Sequence, residues 1–303
     1  MLSGHAGGSG GLLLTRFRSG AGLLLVKDFT SLLSEAASTR NEILALLREV
    51  FDGHVERYVG NRDAPLAWAG KVGFVGAVTE EIEGHRTTIA VMGERFVYIP
   101  MPDNSTEDRA AVVARAMANS SNSRAMREQL ASDVARFFTQ LGDGDTGVVL
   151  EADEREWVGG AADFASRARS PVLRDSRTRE IVLVPEPEVG ARLAVELHQL
   201  ACGLKWIGTP RPLRQEVIRA AAHASIPRIR RLALKTLLDA SATFSTTDVA
   251  LALRLPSNTV RRALEELAAL GVLDSTQDSY RQHWSAAQGA REQWNELHRG
   301  QPD

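Results

Sequence analysis

The stretch Phe244–Asp274 restricts the fold more than any other, because it carries two short helical patterns of apolar residues on either side of a tight turn. Apolar residues of the second pattern recur at i, i+4 and i+7, at Val260, Leu264 and Leu267. This spacing predicts a helix with one buried side. At 3.6 residues per turn, Asn258, Arg262 and Glu265 fall on the opposite side, with Arg261 on its flank. That side presents amide and guanidinium donors, which suit base edges and phosphates.

Residue types mark both ends of these predicted helices. Ser257 follows Pro256 and is a predicted N-cap, whose hydroxyl accepts a bond from an unpaired backbone N–H. Gly271 is predicted to end the second helix. Upstream, Ser245 and Asp248 have the spacing of a capping box, with Asp in place of the usual Glu. The sequence therefore predicts two short helices with well-marked ends.

A short β-hairpin is predicted after the second helix. Val272–Leu273 is its predicted first strand, Gln277–Ser279 its tip and Tyr280–Arg281 its returning strand. Helix, turn, helix and hairpin together resemble the winged-helix domains of bacterial regulators, including the arsenical-resistance-repressor-like families. The resemblance implies double-stranded DNA as a partner, with the second helix in a major groove. A helical hairpin that only packs on its neighbours is the alternative.

Two groups of side chains are the candidate DNA contacts. The first lies on or beside the second helix, at Arg254, Ser257, Asn258, Thr259, Arg261 and Arg262. The second shares one face of a predicted upstream helix, at Arg228, Arg231 and Lys235. Between Trp206 and Ala240, seven basic residues stand against two carboxylates, although the whole chain has a formal net charge of −2. Attraction to phosphate must therefore come from such a local patch. A solvated helix face is the alternative.

The N-terminal part alternates predicted strands and helices. The aliphatic run Leu23–Val26 predicts a strand that is buried on both faces and delivers Asp28 at its carboxyl edge. A helix, a second buried strand and a further strand are predicted at 39–51, 71–78 and 95–100. The second strand leads directly to Thr79. This alternation is typical of an α/β core.

Over residues 22–103, this series resembles the later half of the P-loop ATPase core of phage- and plasmid-type proteins related to AAA+ and primase-helicase enzymes. The resemblance matches Asp28 to the Walker B carboxylate that holds magnesium-bound water. It matches Thr79 to the sensor hydroxyl and Arg95 to an arginine finger supplied to a neighbouring subunit. The implied fold class is α/β plus α, with a partial P-loop-type core, a helical lid-like middle and a C-terminal winged helix.

The phosphate cradle of such a core is missing from the sequence. A Walker A motif needs a Gly-rich loop that ends in Gly-Lys-Ser/Thr, and none occurs. The glycine-rich stretch Gly4–Gly11 contains no lysine. Two explanations stay open: a relic of the fold without ATPase activity, or a chain that begins late relative to the ancestral reading frame. In either case, we expect no ATP hydrolysis by the chain alone.

Structural roles are the alternatives for the ATPase-like side chains. Asp28 is placed to cap Ser31, and Arg95 to pair with Glu80 or Glu94. We expect no cofactor. ATP and Mg²⁺ are expected to bind only under the alternative hypothesis that the chain is part of an ATPase. The histidines show no i, i+3 or i, i+4 pairing, which predicts no metal site.

Three regions are expected, at 1–103, 104–241 and 242–298. In the middle region, two amphipathic helices are predicted between Glu107 and Leu141. Their apolar residues are expected to face inward, at Val113, Ala116, Met117, Met126, Leu130, Val134 and Phe138. Arginines lie where a lid carries its nucleotide-sensing arginine, at Arg167, Arg169, Arg174, Arg177 and Arg179. A closing helix is predicted from Trp284 to His298.

The remaining expectations concern partners and location. A lone Cys202 fits a reducing cytoplasm, and no run of about 20 apolar residues is present to span a bilayer. A sheet that lacks its first strands has an unpaired edge, which favours homo-oligomerisation or pairing with a partner strand. The sequence thus favours a DNA-binding transcriptional regulator or DNA-transaction accessory protein. The alternatives are a subunit of a helicase-like ATPase that acts with a P-loop-bearing partner, and a protein-interaction module.

Overall fold

A computed structural model describes the chain at residues 11–58, 64–91, 95–101, 109–142, 147–186, 190–240, 242–278 and 280–298. The chain divides into two compact units, 1–96 and 97–303. The described structure mixes α-helices with small β-sheets. This agrees with the expected α/β plus α composition at that coarse level.

The first unit alternates strands with helices. Its elements are α1 (Leu12–Thr15), β1 (Ala21–Val26), α2 (Phe29–Leu33), α3 (Ala37–Asp52), β2 (His54–Arg57), β3 (Leu66–Ala69), β4 (Lys71–Gly76) and α4 (Ile82–Val91). Gly53 ends α3 at φ 90°, a left-handed conformation that glycine adopts without steric cost. The chain then enters β2, which pairs antiparallel with β3.

Strands β1 and β4 run parallel, so their carboxyl ends meet at one edge. Ala21 aligns with Lys71, and Val26 aligns with Gly76. Two backbone bonds extend the pairing past the strands, from Ala77 N to Val26 O at 3.0 Å and from Phe29 N to Ala77 O at 2.9 Å. The residues that follow both strands therefore lie side by side.

The prediction that β1 is buried on both faces is wrong. Leu23 and Leu25 are 55% and 64% exposed, whereas Leu24 between them packs into the interior. Because side chains alternate across a strand, one face of β1 meets the core of Leu13, Val50 and neighbouring residues while the other faces outward. An aliphatic run therefore indicated a strand without showing which faces were covered.

The expected strand at 95–100 is also absent from the described residues, since 95–101 has no regular structure. Phe96 anchors this segment instead. Its ring centroid lies 5.7 Å from that of Phe29 and 5.5 Å from that of Phe74. Aromatic packing, rather than strand pairing, thus holds the segment at its start.

The second unit is mainly helical. It contains α5 (Arg109–Asn119), α6 (Ser123–Leu141), α7 (Ala152–Arg169), β5 (Leu173–Arg174), β6 (Ile181–Leu183), α8 (Ala191–Trp206), α9 (Arg211–Ser225), α10 (Arg228–Asp239), β7 (Phe244–Ser245), α11 (Thr246–Leu253), α12 (Ser257–Ala269), β8 (Leu273–Asp278), β9 (Arg281–Ala286) and α13 (Gln288–His298).

One hydrophobic core runs through the second unit from Leu150 to Leu297. Helix α10 packs on α12, α11 and β9, and α13 returns to α7. Strands β7, β9 and β8 form an antiparallel sheet in that spatial order. The expected boundary at 241 therefore falls between elements that share a core.

The closing helix begins later than predicted. Trp284 lies in β9, opposite Phe244, and is completely buried. Its indole Nε1 donates to Thr246 Oγ1 at 2.9 Å. Because this side chain fills the core from a strand, α13 begins only at Gln288.

Helices α5 and α6 form as predicted, but their apolar residues do not face a core. Helix α6 has no buried residue among those described. Met117, Leu130 and Phe138 are all exposed. The 3.6-residue period correctly indicated helices, but periodicity alone does not supply a packing partner. In the part of the chain that the structure describes, no helix has the length and apolar character required to cross a bilayer.

A buried ion pair joins α9 to α7 and provides a stability test. Arg214 Nε and Nη2 donate to the two carboxylate oxygens of Glu154 at 3.1 and 2.8 Å, and Arg214 Nη1 donates to Thr209 O at 2.7 Å. We expect Arg214→Met to lower the free energy of unfolding by about 3–5 kcal/mol, because it leaves the Glu154 carboxylate buried without its cation.

Urea denaturation of the protein checks this expectation. The double substitution Glu154→Leu with Arg214→Met should cost much less than Arg214→Met alone, since it removes both charges. Equal losses in the single and double variants would show that shape, rather than charge pairing, determines the effect.

Candidate nucleic-acid interface

Helix α11 begins with the predicted capping box. Asp248 N donates to Ser245 Oγ at 3.2 Å, and Ser245 N donates back to Asp248 Oδ2 at 2.9 Å. Hydrogen bonds from the Ser245 side chain and backbone lower the pKa of Asp248. The helix ends at Arg254, whose φ of 53° is left-handed and turns the chain toward α12.

Helix α12 has one buried and one exposed side, as its periodicity predicted. Val260, Leu264 and Leu267 are completely buried. The predicted N-cap is wrong: Pro256 occupies the cap position, Ser257 is the first helical residue, and no side chain caps the helix. Proline fits here because its fixed φ suits the entry to a helix. The Ser257 hydroxyl is therefore left on the exposed first turn.

Most of the predicted contact residues around α12 face solvent. The exposed members are Arg254, Ser257, Asn258, Arg261 and Arg262. Thr259 is half-buried. The exposed N-terminal half of α12 thus brings together hydroxyl, amide and guanidinium groups on one surface.

The basic residues between Trp206 and Ala240 are less accessible to a DNA phosphate than their charge alone predicted. Arg214 and Arg230 are buried in ion pairs, and Arg219 is buried with its Nε donating to Leu297 O at 2.7 Å. Arg211 pairs with Asp153 at 2.7 Å. The expected patch of seven basic residues is therefore wrong as a surface feature, because several of these cations hold the helices together.

Three upstream candidates lie on α10 as predicted, with different accessibility. Arg228 and Lys235 are exposed. Arg231 is half-buried, and its Nη1 donates to His223 O at 3.2 Å. The exposed pair is what remains of the proposed basic face of α10.

The hairpin β8–β9 is longer than predicted. It runs from Leu273 opposite Ala286 to Asp278 opposite Arg281. Apart from Leu273, the side chains of β8 are exposed, and they include Asp274 and Asp278. The exposed part of the hairpin is polar, with Asp278 opposite Arg281 and Asp274 opposite Ser285.

The inner side of α12 carries a network of charged side chains. Glu265 and Glu266 accept hydrogen bonds from Arg174, which comes from β5. Glu266 also accepts from Arg230 on α10, and Glu265 accepts from Arg261 on α12 itself. Glu265 is therefore half-buried and paired, and the expectation that it lies on the exposed side of α12 is wrong.

The ATPase-like residues occupy a different unit. Asp28 caps α2, with its Oδ1 accepting from Ser31 N at 3.1 Å. Thr79 follows the neighbouring strand, and its N donates to Thr30 Oγ1 at 3.2 Å. The parallel pairing of β1 and β4 brings Asp28 and Thr79 to the same sheet edge.

Arg95 forms an ion pair within the same unit. Its Nε and Nη2 donate to the two carboxylate oxygens of Asp52, each at 3.3 Å. Its guanidinium carbon lies 5.6 Å from the Phe51 ring centroid. The expected partner Glu94 lies outside the described residues, and Asp52 takes the place of Glu80. The Arg95 side chain is only 14% exposed.

The five lid-region arginines have separate surroundings. Arg167 donates to the Gln293 side chain, and Arg169 is buried. Arg174 belongs to the α12 network, and Arg179 O accepts from Arg174 Nη1 at 2.7 Å. Arg177 is exposed. They do not form one cluster.

A partly buried cluster of rings joins α9 to α13. The rings of His223 and Trp294 are stacked, with centroids 4.9 Å apart and an interplanar angle of 8°. The His298 centroid lies 5.1 Å from that of His223. Burial lowers the pKa of His223 to about 3, and nearby positive groups, namely His298, Arg219, Arg231 and Lys235, add to the shift. Burial likewise lowers the pKa of His298.

This histidine cluster does not have the composition of a metal site. In the parts of the chain that were searched, no group of three or more His, Cys, Asp or Glu side chains is arranged to hold a metal ion. His223 Nε2 is buried without a hydrogen-bond partner among the described residues. The imidazole thus acts as an aromatic ring of the core.

Sequence reasoning missed the network behind α12. Its members are separated by up to 92 positions along the chain, as in the Arg174–Glu266 bond. A local signal did exist for Arg230, because it stands at i−4 and i−7 from the buried Leu234 and Leu237. An arginine in a buried helical stripe indicates an internal carboxylate or carbonyl partner.

The partly buried His223 predicts a specific dependence of stability on pH. The unfolded chain binds a proton at this imidazole below about pH 6.5, whereas the folded protein does so only near pH 3. The free energy of unfolding should therefore fall as the pH drops from 6.5 toward 3, by up to about 1.4 kcal/mol per pH unit from this group.

Urea denaturation between pH 7 and 4.5, compared with His223→Phe, isolates this contribution. Phenylalanine keeps the stack on Trp294 but cannot titrate, so the variant should lose less stability at acid pH. Parallel pH profiles for the two proteins would contradict a neutral, buried His223.

Comparison of the chain with protein-family models, with curated proteins and with solved structures found no match. No relative therefore assigns a role to a residue of this protein. The exposed half of α12, with Ser257, Asn258, Arg261 and Arg262 on a rigid and otherwise buried helix, is the candidate site that the described geometry defines most clearly.

Proposed function

We propose that this protein binds double-stranded DNA through a winged helix formed by α10, β7, α11, α12 and the hairpin β8–β9. The main observation that supports this proposal is that α12 has a buried apolar side and an exposed polar side. The exposed side includes Ser257, Asn258, Arg261 and Arg262. A helix held in this way can enter a major groove without disturbing its own core. The process served is transcriptional regulation or an accessory role in a DNA transaction.

The side chains have separate roles in this proposal. Asn258 and one of the two neighbouring arginines address base edges, because amide and guanidinium groups match the donor and acceptor patterns in the major groove. Arg254, at the turn, contacts phosphate. Arg228 and Lys235 extend the contact along the backbone from α10, where both are exposed.

The distribution of charge over residues 242–298 restricts the proposed DNA contact to one part of this region. Residues 242–298 contain five arginines and seven carboxylates. Glu265 and Glu266 are neutralised by arginines, and Asp248 is engaged in the capping box. Asp274 is exposed on the hairpin and opposes close approach of a phosphate backbone. The α12 surface, rather than the hairpin, therefore supplies most of the proposed contact.

Fluorescence anisotropy with a labelled duplex, measured from 50 to 200 mM salt, tests the proposal. We expect salt-sensitive binding that Arg261→Ala with Arg262→Ala weakens by about tenfold or more, with a shallower salt dependence, because each lost phosphate contact removes about one unit of slope. Arg155→Ala with Arg291→Ala, on α7 and α13, is the matched control and should bind like the unmodified protein. Binding that ignores the α12 substitutions would rule out this surface.

A second candidate function rests on the first unit. Asp28 and Thr79 lie at the joined carboxyl ends of parallel strands, where α/β enzymes place catalytic groups. With a P-loop-bearing partner, Asp28 would hold magnesium-bound water and Thr79 would orient the attacking water. Arg95 would first have to leave Asp52 to reach a neighbouring subunit.

ATP turnover, measured with and without a P-loop-bearing partner, tests this second function. We expect no turnover by the protein alone, and partner-dependent turnover that Asp28→Asn reduces by at least about tenfold, because the amide lacks the charge that attracts Mg²⁺. The matched control is Asp133→Asn on α6. Turnover that is unchanged by Asp28→Asn would remove the Walker B assignment.

A further inference from the structure

Five charged side chains form one hydrogen-bonded network behind and beside the exposed face of α12. Arg174 Nε donates to Glu266 Oε1 at 2.7 Å, and Arg174 Nη2 donates to Glu265 Oε2 at 3.0 Å. Arg230 Nε donates to Glu266 Oε2 at 3.0 Å. Arg261 Nη1 donates to Glu265 Oε1 at 2.6 Å. Every carboxylate oxygen in the network thus has a guanidinium partner.

The network contains one cation more than its carboxylates require. Glu265 and Glu266 carry two negative charges, and three arginines surround them. The Arg174 and Arg230 side chains are 12% and 9% exposed, whereas that of Arg261 is 48% exposed. The two less exposed arginines therefore balance the two carboxylates, and the surplus cation is Arg261 at the surface.

Backbone bonds fix the buried part of the network in place. Arg174 Nη1 donates to Arg179 O and Nη2 donates to Arg262 O, at 2.7 and 2.9 Å. Arg230 Nη1 donates to Ala168 O and Ser170 O. Because these guanidinium groups are held from several directions, they remain with the carboxylates when Arg261 moves.

We propose that Arg174 is a positioning residue for nucleic-acid binding, which releases Arg261 from Glu265 for transfer to a DNA phosphate. This proposal rests on the proposed function of α12. With Arg174 present, Glu265 stays neutralised when Arg261 turns outward. Without Arg174, outward movement of Arg261 strips the half-buried Glu265 of its last cation, so Arg261 stays on the helix.

Anisotropy measurements of DNA binding by substituted proteins test whether Arg174 releases Arg261 from Glu265. Arg174→Gln removes the charge but keeps an amide donor, and it should weaken DNA binding about tenfold although Arg174 does not touch DNA. Adding Glu265→Gln should restore binding to within about threefold of the unmodified protein, because Arg261 is then no longer retained. Adding Arg261→Ala to Arg174→Gln should cause little further loss, because the retained arginine contributes little.

A matched control separates release from overall charge. Arg174→Gln with Glu292→Gln changes the net charge by the same amount as the rescue pair, but Glu292 lies on α13 and pairs with Gln288. This double variant should still bind DNA about tenfold more weakly than the unmodified protein. Rescue by both carboxylate substitutions, or by neither, would overturn the positioning role.

A measurement without DNA distinguishes failure of this inference from failure of the proposed function. Arg261→Ala alone should lower the melting temperature by less than about 2 °C, because Arg174 still neutralises Glu265. In the Arg174→Gln background, the same substitution should lower it by at least about 4 °C more than Arg174→Gln alone. Additive shifts would overturn the network, whereas coupled shifts without DNA binding by the unmodified protein would reject only the function of α12.

Discussion

Burial of the apolar side of α12 is the constraint on which the rest of the second unit depends. Val260, Leu264 and Leu267 enter a core shared with α10 and with the tryptophan of β9. Once those side chains are inside, the helical period determines which residues face outward. The same burial fixes the direction of α12 and holds its polar surface on a rigid support. The packing that orients this candidate interface therefore lies on the side of α12 opposite to the interface.

The sequence allowed the elements of this unit to be predicted well, because their signals are local. Apolar spacing located α12, the Ser245–Asp248 pair located the start of α11, and the left-handed Gly271 marks the turn into the hairpin. Helices α5 and α6 were also recognised from spacing. Their partners could not be inferred, since a period reports that one side is apolar and not what lies against it. Likewise, the aliphatic run of β1 did not reveal its open face.

Charge was the hardest property to interpret from sequence. Seven basic residues between Trp206 and Ala240 indicated a surface for phosphate, yet Arg214, Arg219 and Arg230 are buried. A guanidinium group contributes the same formal charge whether it meets water, a carbonyl oxygen or an internal carboxylate. Only the tertiary contacts, many between residues far apart in sequence, separate these cases. The exposed arginines of α12 could be predicted because their position on an amphipathic helix is a local property.

Because α12 has a buried and an exposed side, its inner and outer residues are subject to different sequence constraints. Its inner residues support the core and the charge network, so most replacements there would be costly. The side chains of Ser257, Asn258 and Arg262 are exposed and lie outside that core. Their identities are free to drift without loss of the fold. A scaffold with this property can acquire a new recognition preference through a few surface substitutions, while the buried arginines preserve the geometry in which the new side chains are presented.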